Sequence, residues 1–223
     1  MNTKRNLHAV ALCGAVGLSA LGFMPAHAAD KHAMSFFISS TSGGKGGDLG
    51  GLAGADKLCQ SLAEAAGAGK KTWRAYLSAQ ASGGTKAVNA RDRIGKGPWY
   101  NAKGELIAKN VDELHRSNNL TKQTALTEKG DVVNGRGDKP NLHDILTGTD
   151  SMGMAFGGSG DTTCSNWTSS STGSAMVGHH DRQGLNDLPP AKSWVQSHAS
   201  RGCSPEALAA TGGGGFVYCF ATR

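Results

Sequence analysis

Four cysteines, Cys59, Cys164, Cys203 and Cys219, constrain what this 223-residue chain can fold into more than any other feature. They follow a segment with the three parts of a secretory leader. Lys4 and Arg5 are basic, Ala9 to Phe23 is apolar, and Ala26-His27-Ala28 is a small-x-small cleavage signal. Residues 1–28 are therefore expected to be removed and residues 29–223 to fold as one exported domain, periplasmic or secreted. Cys13 falls inside the leader and lacks the leucine three positions earlier that a lipoprotein signal carries, so no lipid anchor is expected. An even set of cysteines in an exported chain reads as two disulfides, with three connectivities open. No two of them have the short spacing of a zinc knuckle, which argues against a metal site built from them.

Composition explains why covalent help is needed. After residue 28, Leu, Ile, Val and Phe number 30 of 195 residues and Gly another 30, which implies a thin core and long, turn-rich connections. Disorder is not the reading, because removing Lys4 and Arg5 leaves 21 basic against 17 acidic residues, a net charge of +4, too small for self-repulsion to prevent collapse. The same modest charge lacks the basic stripe of a nucleic-acid binder. The only long apolar stretch is the leader, so no membrane-spanning helix is expected in the mature chain.

Along the chain, Phe36-Phe37-Ile38 reads as a buried strand and the glycine-rich stretch from Ser39 to Gly51 as its loop. From Gly54 to Ala66, Ala55, Leu58, Cys59, Leu62, Ala65 and Ala66 follow helical spacing, with Cys59 on the buried face. Trp73 to Ala79 alternates, predicting a strand with Arg74, Tyr76 and Ser78 on a wet side. Asn89–Ile94 and Val111–Leu114 are brief helices or turns. From Asn118 to Asp161 periodicity fades and long excursions with little regular structure are expected. Short strands then fit Asn166–Ser169, Ala175–Val177 and Phe216–Phe220. The parts make one α+β domain without internal repeats.

Several segments resemble endostatin domains: Met34-Ser35-Phe36-Phe37-Ile38-Ser39, Leu52-Ala53-Gly54-Ala55-Asp56-Lys57-Leu58-Cys59 and Thr72-Trp73-Arg74-Ala75-Tyr76-Leu77-Ser78 at the opening. Cys164-Ser165-Asn166-Trp167-Thr168, Gly202-Cys203 and Phe216-Val217-Tyr218-Cys219-Phe220 resemble the family's closing part, while residues 109–163 match poorly. The resemblance implies the C-type lectin-like fold, of which the endostatin fold is a variant. It also implies the pairs Cys59–Cys219 and Cys164–Cys203. Endostatins bind sulfated glycans through surface arginines, one set of which falls near Ala90-Arg91-Asp92-Arg93, so Arg91 and Arg93 are candidate ligand contacts, with Asp92-Arg93 the stricter match. Their zinc site does not transfer, since only His32 lies near the mature amino terminus.

Other candidates come from residue types. Gly178-His179-His180-Asp181 is the densest titratable run, but adjacent strand histidines point to opposite faces, and solvated loop residues are the plainer reading of His179 and His180. Asp144, Thr149 and Asp150 fall where lectin-like folds hold calcium, yet the Glu-Pro-Asn, Gln-Pro-Asp and Trp-Asn-Asp tripeptides of such sites are absent, so no cofactor is expected. Trp167 is expected in the core. Cleavage after Ala29 would expose Asp30-Lys31-His32, a square-planar Cu²⁺ or Ni²⁺ set, whereas cleavage after Ala28, the better signal, abolishes it. Arg136-Gly137-Asp138 matches an adhesion tripeptide, as three-residue strings do by chance. No nucleophile elbow, His-Glu-x-x-His or phosphate loop is present, so no enzymatic activity is expected. The sequence reading is a non-catalytic exported binding module for a glycan or an envelope or cell-surface ligand. Its alternative is a small metal-binding protein or hydrolase using His179, His180 and Asp181.

Overall fold

Every second residue of the last strand faces a different core, and that strand organises the molecule. The computed structural model describes Met1 and residues 33–222. Apart from Met1, the expected leader lies outside the described residues, as does the Asp30-Lys31-His32 triad. The fold is mixed α+β. In chain order it has β1 (Phe36–Ile38), α1 (Gly51–Ala65), β2 (Trp73–Ala75), α2 (Ala90–Arg93), β3 (Trp99–Tyr100), β4 (Leu106–Ala108), α3 (Val111–Arg116) and β5 (Asp144–Leu146). There follow α4 (Cys164–Trp167), β6 (Met176–His179), β7 (His198–Ala199), α5 (Pro205–Ala209) and β8 (Gly213–Ala221).

The main sheet runs β1-β8-β5-β6-β7, with β2 also pairing β8, and β3 and β4 form a separate ribbon. On β8, Val217, Cys219 and Ala221 join a cluster with Phe37, Leu146, Val177, Trp73, Ala55 and Cys59, on the α1 side. Tyr218 and Phe220 join Phe36, Ile38, Ile145, Trp99 and Trp194 in the other cluster. Both sheet faces are therefore buried, which is why Phe36-Phe37-Ile38 is apolar without alternation. Helix α1 buries Ala55, Cys59 and Ala63 at helical spacing. That places Cys59 against β8, where it is bonded to Cys219, and a second disulfide joins Cys164 to Cys203. The bridges have the connectivity that the resemblance implies and fit an oxidising compartment. Among the described residues no helix is long and apolar enough to cross a membrane.

Three expectations are corrected. The strand expected at Asn166–Ser169 is a left-handed turn. Cys164, Ser165, Asn166 and Trp167 have φ of 48°, 54°, 54° and 68°, a conformation that costs about 1–2 kcal/mol per non-glycine residue. It is imposed by its neighbours: Asp161 accepts from the Ser165 N–H, Asn166 exchanges hydrogen bonds with the Gln80 backbone, and the buried Trp167 indole donates to Ser78 O at 2.7 Å. The alternation from Trp73 stops at Ala75, because Tyr76 and Ser78, expected to be wet, are fully buried. Tyr76 meets His115 at 2.7 Å, and Ser78 Oγ accepts from the Ala90 N–H. Finally, the supposedly irregular middle contains β5, which lies inside the sheet between β8 and β6.

Candidate functional site

Strand β5 brings the site together. Its pairing with β6 sets Asp144 directly opposite His179, and the pairing of β6 with β7 sets His198 opposite Val177, diagonal to His179 on the same face. Three adjacent strands thus each contribute one polar side chain to one end of the sheet. Gly178 keeps this end closed: a Cβ there would lie 1.8 Å from Trp194 O, so only glycine lets residues 194–195 cross over β6.

The distances are short. His143 Nε2 and His179 Nε2 each lie 3.2 Å from Asp144 Oδ1, His198 Nε2 lies 3.4 Å from it, and the Nε2 atoms of His179 and His198 are 3.1 Å apart. His143 also stacks on His179, with ring centroids 4.1 Å apart, and reaches Asp181 Oδ1 through Nδ1 at 3.4 Å. Asp144, His143 and His179 are buried, while the His198 side chain remains 38% exposed. Burial pushes the Asp144 carboxyl up, but the surrounding imidazoles outweigh it and bring it down to about 2. Asp181 is also held well below the usual carboxylate range, burial being outweighed by His143 and by the N–H groups of Arg136 and Gln183. His198 is raised, first by its contact with Asp144. The His179 and His198 contacts that lower it are close but out of line, and among the described residues neither Asp144 oxygen accepts a hydrogen bond of good geometry.

The outer nitrogens fix the tautomers. His179 Nδ1 lies 2.8 Å from Ala191 O and His198 Nδ1 3.1 Å from Ala199 O. A carbonyl only accepts, so both Nδ1 atoms donate and the inward Nε2 atoms of the neutral rings carry lone pairs. His143, His179 and His198 line a cavity of about 840 Å³ together with Arg136, Asn141 and Arg201. Leu185 and Leu188, 88% and 63% exposed, stand at its edge.

The sequence-derived candidates have different fates. Arg93 is buried, not a surface contact: its Nη2 donates to both oxygens of Asp56 at 2.8 and 2.7 Å, and its Nη1 donates to Ala75 O. Arg91 is held by Met152 O and Asp112. Asp150 closes its own turn, accepting from the N–H groups of Met152 and Met154, while Asp144 sits in β5 among imidazoles, so the two do not form one calcium loop. His179 and His180 are buried, not solvated; His180 points away from the cluster toward Asn134 O, and its pKa is lowered by burial. In the adhesion-like tripeptide, Asp138 is taken up by Lys122 and the Gly135 N–H. His143 and His198 were not singled out from the sequence; the one trace was the doublet His143-Asp144, which repeats the order of His180-Asp181. No protein-family model and no curated protein matches this chain.

Proposed function

We propose that the chain is an exported, non-catalytic binding module of the lectin-like type that takes an acidic glycan, sulfated or carboxylated, in the cavity at the histidine end of the sheet. The observation that carries this reading is the pair Arg136 and Arg201. Both line the cavity, and among the described residues neither guanidinium is engaged in an ion pair, unlike Arg91 and Arg93. A free guanidinium offers a planar fork of donors that fits sulfate and carboxylate. The walls support the same reading. Residues 136–143 come from the middle excursion and residues 185–191 from the loop after His180. The exposed Leu185 and Leu188 supply apolar surface of the kind that packs against the face of a sugar ring or a neighbouring polymer. The endostatin resemblance favours the same ligand class, but the contacts shift from Arg91 and Arg93 to Arg136 and Arg201.

The test is retention on immobilised heparin, in chelator so that the arginines alone are read. Arg136→Ala combined with Arg201→Ala is expected to elute at clearly lower salt than the native protein, and Arg91→Ala to elute with it. Equal retention of the double variant and the native protein would refute the assignment.

A further inference from the structure

We propose that His179, His198 and Asp144 form a binding site for a divalent transition-metal ion, Zn²⁺ in the first instance, with a coordination position open to the cavity. Two imidazole Nε2 atoms, each left unprotonated by an outward Nδ1–H···O=C hydrogen bond, and one carboxylate oxygen crowd within 3.1 to 3.4 Å of one another. Three acceptors this close repel unless a cation sits among them. The carboxylate is almost fully buried, and neither of its oxygens accepts a hydrogen bond among the described residues, an arrangement that is costly without such a cation.

The spacing selects the kind of cation. Ligand atoms about 2.0–2.1 Å from a tetrahedral Zn²⁺ are about 3.3–3.4 Å apart, close to the separations seen here. Two imidazoles and one carboxylate are a set for zinc and its neighbours, whereas calcium wants six or more oxygens. The rings of His179 and His198 are steeply inclined, at 63°, so one ion can lie near both ring planes. His143 is within ligand distance of Asp144 and His179 but stacks on His179 at 12°, and one ion cannot lie in two nearly parallel ring planes. His143 therefore lies beside the site rather than in it, 3.2 Å from Asp144 Oδ1 and 3.4 Å from Asp181 Oδ1. The sequence alternative of a metal held by His179, His180 and Asp181 thus keeps only His179 as a ligand. His180 points toward Asn134, and Asp181 lies against His143. With three protein ligands and the exposed His198 at the cavity wall, the fourth position faces the space where a ligand would enter.

The site stands independently of the glycan reading, because its test involves no glycan. Disulfide-intact protein without a polyhistidine tag would be titrated with Zn²⁺ by calorimetry near neutral pH, and its Co²⁺ form examined by visible absorption. The expected result is one ion per chain, a Co²⁺ spectrum of low coordination number, and no competition from Ca²⁺. His198→Ala, at the most exposed ligand, is expected to weaken Zn²⁺ binding at least tenfold while keeping the native near-ultraviolet circular dichroism. Asp144→Asn should do the same. His143→Asn should weaken it less than the ligand substitutions do. Folded protein that takes up no Zn²⁺ would overturn the proposal and leave a proton on His198 as the cation of the cluster. Binding unchanged in His198→Ala but lost in His32→Ala would overturn it by placing the ion at the amino terminus.

Discussion

Two of the places where the molecule buries charge treat it in opposite ways. Beside β2, Arg93 and Asp56 satisfy one another: both carboxylate oxygens accept from Arg93, Asp56 Oδ1 also accepts from the Ala75 N–H, and the second guanidinium nitrogen reaches backbone carbonyls. His115 near by is equally complete, with Nδ1 on Val111 O and Nε2 on the Tyr76 hydroxyl, each at 2.7 Å. At the far end of the sheet, Asp144 is more deeply buried than Asp56, touches three imidazoles, and accepts no hydrogen bond. Buried polar groups that exist for stability are paired to completion. A buried group left incomplete beside a cavity signals that something else completes it. The Asp56 side chain keeps 26% of its surface exposed and that of Asp144 1%, so the less complete of the two carboxylates is also the deeper one.

The comparison can be broken most forcefully at Arg93. Arg93→Met strips a carboxylate of its partner, and the expected loss is about 3 kcal/mol, reduced from the fully buried case because Asp56 keeps some solvent contact. Urea unfolding followed by tryptophan fluorescence measures it. A loss below about 1 kcal/mol would mean that this pair is not the structural element described.

The next effect belongs to the histidine end. Zn²⁺ at a hundred times its dissociation constant is expected to stabilise the native protein by about 2.7 kcal/mol through mass action, and Asp144→Asn, whose site is at least tenfold weaker, by about 1.4 kcal/mol at most. Differential scanning calorimetry with and without the ion reads both, and equal shifts in the two proteins would erase the distinction between the regions.

A smaller effect follows from His115. Burial lowers its pKa below the ordinary histidine value, so the unfolded chain binds the proton more readily than the native one. Stability contributed by the neutral ring is therefore complete above the unfolded pKa, about 6.5, and is lost as pH falls below it, with a slope of at most about 1.4 kcal/mol per pH unit. His115→Gln should flatten that part of the stability profile.

Much of the frame was legible in the chain. The buried run of β1, the helical spacing of α1 with Cys59 inward, and the position of β8 all follow from patterns spanning a few residues, where neighbours along the chain are also neighbours in space. The left-handed turn at Cys164–Trp167 was not legible, because its conformation is imposed by Asp161, Gln80 and Ser78 rather than by its own residues. The site was legible only in fragments. From the sequence, Asp144 reads as a loop residue of calcium type and His179 as a solvated one. His143 has only its adjacency to Asp144 as a local signal and His198 has none, since the separations of 35 residues from Asp144 to His179 and 19 from His179 to His198 match no periodicity and no metal-binding spacing.

By itself, the sequence determined which segments bury, that Cys59 faces inward, and that a thin core must be tied covalently, because burial and backbone preference act locally. Tertiary structure alone decided which polar residues meet. The register of β5, β6 and β7 sets Asp144, His179 and His198 on one face, and pairing between strands distant in sequence depends on turns and packing far from the residues it brings together.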